Sequence, residues 1–403
     1  MSYSTERLKG VKPSASAAVS LKAAELKADG QDVIDLGLGE PDFATPGHII
    51  ESAYAAALAG QTRYPPTQGT AELREAIQKK LGRDNSLHVE LDEIIVSNGA
   101  KQVIFGALMA TLEPNQEVLL CAPFFDSYKN IVLVLGGVPV TIPCTEHSGF
   151  KLSPELLERS ISKSTRWILL NSPSNPAGTV YSREELKALG EVLARYPQVL
   201  ILADEIYEHI IFDGNVAHSF ATVCPALQDR VLTVNGVSKA YAMTGWRVGY
   251  GAGPRALINA MIKVQSQITS GACSVAQPAA VAALNGPQET VHGFRDEFEK
   301  RRNLVIEKVA AIDELTLYPP GGAFYALIGC QAVLGATHPN GSMIEDDIAF
   351  AKYLLNETLV ASVPGSTYGV APFFRISTAT SAPVLSEAID RIAEGVNKLR
   401  LRD

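Results

Sequence analysis

Lys239 is the one charged residue between Arg230 and Arg247, in a stretch that opens with the apolar run 231–234. An amine so placed is a candidate nucleophile, because partial burial lowers its pKa and frees its lone pair. Asp204 stands just beyond the apolar run 199–202, in ADEIYEH. A carboxylate at the mouth of a sheet needs a partner if it is buried. After the run 94–96, SNGAKQ places Asn98, Gly99 and Ala100 at the opening of a helical pattern. Small residues at a helix N-terminus let backbone N–H groups approach an anion, usually phosphate. NSPSNPAG follows the run 167–170 and brings Asn171 and Asn175 in a polar turn. Each piece alone has a plain structural reading: a tight strand–helix turn, a loop, a solvated lysine. Their convergence outweighs those readings, since phosphate turn, carboxylate, amine and the Arg247 guanidinium all follow runs that read as strands.

Those strands must belong to one sheet. Apolar runs at 94–96, 118–120, 138–142, 167–170, 199–202 and 231–234 alternate with helical patterns. One pattern carries Ile104, Ala107, Leu108, Thr111 and Leu112; another opens with Ser153 before Pro154, a cap with a first-turn proline. Ser182 with Glu185 forms a capping box ahead of Leu186, Leu189 and Leu193. Strands that are apolar throughout imply helices on both faces, hence a doubly wound, mainly parallel α/β domain. Ligands of such sheets bind beyond the carboxyl ends of the strands. The expected division is an N-terminal arm at 1–45, a large domain at 46–285 and a smaller α+β domain at 286–403 completed by the N-terminal segment.

With 403 residues, 46% hydrophobic and 19% charged, the chain is too long for one ordinary core and too apolar for disorder. A formal charge of −8 without a basic block argues against nucleic acid as the main partner. No apolar run reaches membrane-spanning length, and the start has no signal-peptide core, so a cytoplasmic protein is expected. The five cysteines are scattered and read as buried thiols of a reducing compartment. No H-E-x-x-H occurs, so no metal site is expected. His209 reads as a helix-surface residue, and the charge-rich residues 294–311 as a solvated face joining two domains. The glycines of GYGAGP hint at a dinucleotide loop but match it poorly.

Taken together, KPSASAAV, GLGEPDFATP, YPPTQGTAELREAI, SNGAKQ, NSPSNPAG, ADEIYEH, NGVSKAYAMTGWRVGY and FFRISTATS resemble the fold-type I pyridoxal-phosphate aminotransferases, specifically the bacterial aspartate aminotransferase group. The likeness runs from about Val11 to the C-terminus, and the order and spacing of the motifs make it specific. It implies an aminotransferase of the EC 2.6.1 type that uses pyridoxal 5'-phosphate and works as a homodimer on an amino acid and a 2-oxo acid. Lys239 would form the internal Schiff base with the cofactor and then carry the proton. Asp204 would face the pyridine nitrogen and keep it protonated. Tyr207, one helical turn on, and Asn175 would hydrogen-bond the phenolic oxygen. Arg247, the Gly99–Ala100 turn and Tyr64 from a neighbouring subunit would bind the cofactor's phosphate, and Ser238 and Lys101 would also contact the cofactor. Phe125 would stack on its ring. Arg375 would clamp the substrate α-carboxylate, a bidentate match, with Gly39 close by.

The chain departs from the family at three places. Phe125 stands where tryptophan is usual, which predicts a wider, less polar pocket. Asp126 adds a carboxylate beside it. Gly236 replaces a serine that contacts phosphate in some relatives. Lys101 and Ser16 match positions that bind the distal carboxylate of aspartate or glutamate, so an acidic donor is the first expectation. Aromatic, prephenate-type or other larger donors are the alternative. A β-lyase on the same cofactor would use the same lysine, aspartate and arginine, and a non-catalytic sensor module is the remaining reading.

Overall fold

The computed structural model describes residues 4–338 and 340–400. The first three residues of the expected arm and the last three of the tail lie outside them. Thirteen strands follow in chain order: β1 (Ile34–Asp35), β2 (Ile94–Ser97), β3 (Glu117–Ala122), β4 (Val138–Pro143), β5 (Thr165–Asn171), β6 (Leu200–Asp204), β7 (Val231–Gly236), β8 (Gly249–Ala252), β9 (Thr316–Leu317), β10 (Tyr325–Gly329), β11 (Val360–Ala361), β12 (Val363–Pro364) and β13 (Phe373–Ser377).

Seven of them form the central sheet in the order β2-β8-β7-β6-β5-β3-β4. Every pairing from β7 to β4 is parallel, and β8 alone runs against its neighbours. Successive residues of these strands enter two different cores. Ile168, Leu170 and Ile201 pack on one face, and Trp167, Leu169 and Leu202 on the other. That is why the strands read as continuous apolar runs: helices cover both sides. Helices Ala100–Thr111 and Arg255–Ile268 lie against each other over one face, and Ala71–Asn85 and Ala276–Asn285 over the other. The Ser182 capping box forms with both of its hydrogen bonds, and Ser153 caps its helix ahead of Pro154.

The strand β8 is the GYGAGP segment, and its glycines serve packing. A Cβ on Gly249 would overlap the backbone of Ala100, and one on Gly251 would press on Val103. The first turn of helix Ala100–Thr111 therefore sits directly on the sheet, and no dinucleotide loop is formed.

A smaller antiparallel sheet has the order β12-β13-β10-β9. Its core contains Ile34 and Leu36 beside Val305, Phe374 and Ile389, and β1 pairs in parallel with β11. Both ends of the chain thus build the smaller unit. Helix Glu289–Val309 joins the two sheets, but its charged face is not simply solvated. Arg301 and Arg302 are buried, the first bound to Asp42 and Glu297, the second to Asp213. Phe43 stacks on Phe294 of the same helix at 4.1 Å. Among the described residues no helix is long and apolar enough to cross a membrane. The cysteines are free; Cys144, Cys224 and Cys330 are buried, Cys121 is half-buried, and Cys273, contrary to expectation, is exposed.

Candidate active site

Parallel strands all end at one edge of the sheet, and there a cavity of about 340 Å³ opens. The strand ends bring in Lys101, Phe125, Asn171, Asn175, Asp204, Tyr207 and Lys239. Because β8 runs the other way, its start lies at the same edge: Gly236 pairs with Gly249, which puts Arg247 in the cavity. The segment after β1 adds Gly39 and Glu40, and the small sheet adds Tyr325 and Arg375.

Asp204 ends β6 almost fully buried. Its carboxylate accepts from the Tyr128 hydroxyl at 2.6 Å and from the Ile206 N–H at 3.2 Å. Burial dominates over these donors and over the Lys239 charge, and pushes the carboxyl up to about 6. Lys239 Nζ donates to the Gly39 carbonyl at 2.5 Å. Burial lowers its pKa to about 8; Arg375 and Arg247 add to that effect, and Glu40 and Asp204 oppose it. An acid displaced upward beside an amine displaced downward is the pattern of a site built for proton transfer.

Tyr207 does not continue a helix. The chain leaves β6 through hydrogen-bonded turns, Glu208 N–H to the Glu205 carbonyl and Ile210 N–H to the Tyr207 carbonyl. The Tyr207 hydroxyl meets that of Tyr325 at 2.9 Å, and Lys239 Nζ lies 5.7 Å from the Tyr207 ring centre. His209 shares this turn and packs edge-on to Tyr241, so it is not a helix-surface residue.

Arg375 on β13 is only 2% exposed, and among the described residues it has no acidic partner. Its Nη1 donates to Asn175 Oδ1 at 3.1 Å; its Nη2 donates to Ser16 Oγ at 3.2 Å and to the Gly37 carbonyl at 2.5 Å. Its guanidinium lies between the rings of Tyr325 and Tyr368, 4.5 and 5.1 Å from their centres. Nε is buried with no hydrogen bond. A buried, unpaired guanidinium held by neutral groups suits a carboxylate.

Gly99 caps helix Ala100–Thr111 at φ 82°, and a Cβ there would strike the Arg247 guanidinium. Arg247 is itself in the left-handed region, with Nη1 on the Thr244 carbonyl at 2.8 Å. Free first-turn N–H groups facing a guanidinium across a glycine suit a phosphate. Gly236 has a packing cause: a Cβ would come within 2.9 Å of the Val248 carbonyl oxygen.

Residues 31–392 match the family described as aminotransferase class I and II. The chain belongs to that family. It is 50% identical over 381 residues to the aspartate aminotransferase of Rhizobium meliloti (strain 1021), covering 94% of this chain and 93% of that protein. It is 48% identical over 392 residues to the aspartate/prephenate aminotransferase of Cereibacter sphaeroides, covering 97% and 98%. The crystal structure of the Rhizobium meliloti aspartate aminotransferase superposes with a TM-score of 0.96 at 48% identity, over 99% of this chain and 100% of that one. The Thermus thermophilus aspartate aminotransferase with maleate gives 0.92 at 38%, over 98% and 100%. The protein is an enzyme of the transferase class, aspartate aminotransferase-like in fold, and its reaction is transamination.

In this aminotransferase the expected residues line one cavity with two exceptions: Gly99 lies behind Ala100 against the Arg247 guanidinium, and Tyr64 is 93% exposed and outside it. Ser16 and Lys101 both line the cavity but share no partner, since Ser16 binds Arg375 and Tyr368 while Lys101 Nζ sits 5.1 Å above the Phe125 ring. Asp126 is buried at the start of helix Asp126–Val134. Tyr128, Tyr325 and Tyr368 were not anticipated. Tyr128 carried a signal, one helical turn after Phe125; the other two lie on separate elements and carried none.

Proposed function

We propose that this aminotransferase uses pyridoxal 5'-phosphate to move the amino group between an acidic L-amino acid and a 2-oxo acid such as 2-oxoglutarate. The observation that carries the reading is the shared cavity of Asp204, Lys239 and the unpaired Arg375 guanidinium. The residues fit the cofactor: the Gly99–Ala100 turn, Arg247 and Ser238 would hold its phosphate, Asp204 its ring nitrogen, Tyr207 and Asn175 its phenolic oxygen, and Phe125 one ring face. When bound, it supplies an aldehyde for the amino group and a ring that accepts electrons.

The protein's own groups do the rest. Arg375 takes the substrate α-carboxylate in two parallel hydrogen bonds, with Asn175 already fixing its orientation and Gly39 close by. This turns the substrate's Cα hydrogen to a constant position relative to Lys239. Lys239 Nζ, lowered to about 8, has a substantial free-base fraction near neutral pH and accepts the Cα proton. Tyr207, Tyr325 and Phe324 pack about that amine and limit the access of water.

Lys101 at the cavity rim supplies a cation for a second carboxylate, which favours aspartate and glutamate. The Thermus relative's maleate is also a dicarboxylate. Phe125 in place of a larger indole favours a second reading, a prephenate-type or other bulky donor. We further propose a homodimer in which Tyr64 reaches the neighbouring subunit's phosphate site, with the large domain spanning about 46–285, and a cytoplasmic location. The exposed stripe Ile50, Tyr54 and Leu58, spaced at one helical turn, supports the dimer. The test is a panel of donors against 2-oxoglutarate, oxaloacetate and pyruvate, with Lys239→Ala alongside. Aspartate and glutamate are expected to turn over fastest and Lys239→Ala to show no transamination. Wild-type-like turnover in that variant would overturn the residue assignment.

A further inference from the structure

We propose that Glu208, clamped by Lys80, Asn85 and Asn235, is a positioning residue that fixes the spacing between Tyr207 and Lys239. The proposal rests on the assignment of those two residues to the reaction. Glu208 follows Tyr207 in the turn after β6, and Asn235 lies on β7 four residues ahead of Lys239. Asn235 Nδ2 donates to Glu208 Oε1 at 2.6 Å, and its Oδ1 accepts from the Gly236 N–H at 2.8 Å. The amide therefore ties the end of β7 to the turn that carries Tyr207. Lys80 Nζ and Asn85 Nδ2 complete the carboxylate's shell, and Lys80 also donates to Asn85 Oδ1 at 2.6 Å. Lys80, Glu208 and Asn235 are all buried.

Adhesion alone is a poor account of this cluster. Well-packed apolar side chains are often as stabilising as a buried ion pair. Convergent hydrogen bonds from two other elements onto one carboxylate add direction, since each donor restricts where the turn can sit. The groups facing Glu208 act together. Burial favours its neutral form, but Lys80, His209 and Asn85 hold the carboxyl at about 2. Its neighbour Glu205 is pushed by burial and then by the Glu208 charge up to about 8. Asp84 Oδ2 and Glu208 Oε1 both lie near His209 Nε2, at 3.7 and 3.6 Å. The buried ammonium of Lys80 thus sits between Glu208, which it contacts directly, and Asp84 Oδ2 at 3.9 Å.

If the clamp loosens, the turn drifts, Tyr207 moves off Tyr325, and water reaches Lys239. The consequences are a misplaced base and an amine less desolvated than before. Two variants test this. Glu208→Gln removes the charge; Asn235→Ala cuts the tie to β7 while leaving the ion pair intact. For each, kcat and KM are measured per titrated active site of the holoenzyme. The pKa of Lys239 is read in cofactor-free protein by competitive acetylation and peptide mass spectrometry. The expected result is a kcat lower by roughly 10- to 100-fold, as for a displacement of about 1 Å. KM should stay within about twofold, and the Lys239 pKa should rise by about one unit. If Glu208→Gln does not fold, Asn235→Ala decides alone. Wild-type kcat and Lys239 pKa with only a lower melting temperature would overturn the proposal and leave a structural clamp. Lys239→Ala separates the two failures. Activity surviving in that variant sinks the underlying assignment, whereas an inactive Lys239→Ala beside unaffected Glu208 and Asn235 variants sinks this proposal only.

Discussion

Asp204→Asn is expected to stabilise the cofactor-free protein while abolishing its activity. The Asp204 carboxyl titrates at about 6 in the folded chain against an ordinary 3.8, with burial as the main cause. Its folded pKa lies above the unfolded one, so between these values the native state binds the extra proton. Stability then falls as pH rises through that window, and the cost persists above it. A displacement of about two units at roughly 1.4 kcal/mol each gives a penalty of about 3 kcal/mol at pH 7. Asparagine removes the charge yet keeps the contacts. Its oxygen accepts from the Ile206 N–H, and the Tyr128 hydroxyl rotates to accept from the amide. The assay is urea unfolding at a series of pH values from about 4 to 8, followed by the fluorescence of Trp167 and Trp246, which both lie in or beside the central sheet. The variant's advantage should be near zero at about pH 4, grow to about 3 kcal/mol by pH 7 and then stay level. Parallel wild-type and variant profiles across that range would refute the reasoning. On the proposed function, a protonated cofactor ring nitrogen opposite Asp204 would offset the same penalty and so account for a destabilising charge at this position.

Two further outcomes are expected. Arg375→Ala should lower kcat/KM for donor and acceptor together by roughly 2 to 5 kcal/mol, the cost of losing a buried charge-assisted pair. Steady-state kinetics with both substrates check this, and a loss confined to one of them would remove Arg375 from a shared carboxylate site. Light scattering should give twice the chain mass, and Tyr64→Phe should weaken cofactor affinity by about 1 kcal/mol, one hydrogen bond. A fully active monomer would refute the placement of Tyr64 across an interface.

Much of this site was legible in the sequence because a parallel sheet delivers its strand ends to one edge. Once 199–202 and 231–234 read as strands, Asp204 and Lys239 had to lie near each other, whatever the loops did. The same logic missed β8, whose four residues include two glycines and carry no β-branched run. Those glycines reflect a helix end resting on the sheet, a tertiary demand that local pattern does not encode. Arg301 and Arg302 misled for the opposite reason. Their charges suggested solvent, while two of the acids that pair with them, Asp42 and Asp213, stand far off in sequence. Arg375 was assigned through family likeness alone. Its burial follows from the register of β12, β13 and β10, where Val363 and Leu327 flank it, and its aromatic seat from Tyr325 on β10 and Tyr368 in the turn after β12.

The cavity's charges explain how a chain of net charge −8 can favour anionic ligands. Lys101, Lys239, Arg247 and Arg375 line it against only Glu40 and Asp204. Low-dielectric walls keep that local excess from being cancelled by acids elsewhere on the surface. The excess also links substrate binding to the readiness of the base. Arg375 is the neighbouring charge that most lowers the Lys239 pKa. A carboxylate seated on Arg375 neutralises that influence, so the amine becomes a stronger base once a substrate is in place. Before binding, burial first and the unpaired guanidinium second lower the Lys239 pKa. On the proposed function, a carboxylate held by the same guanidinium would cancel its effect, and Lys239 would gain affinity for the Cα proton.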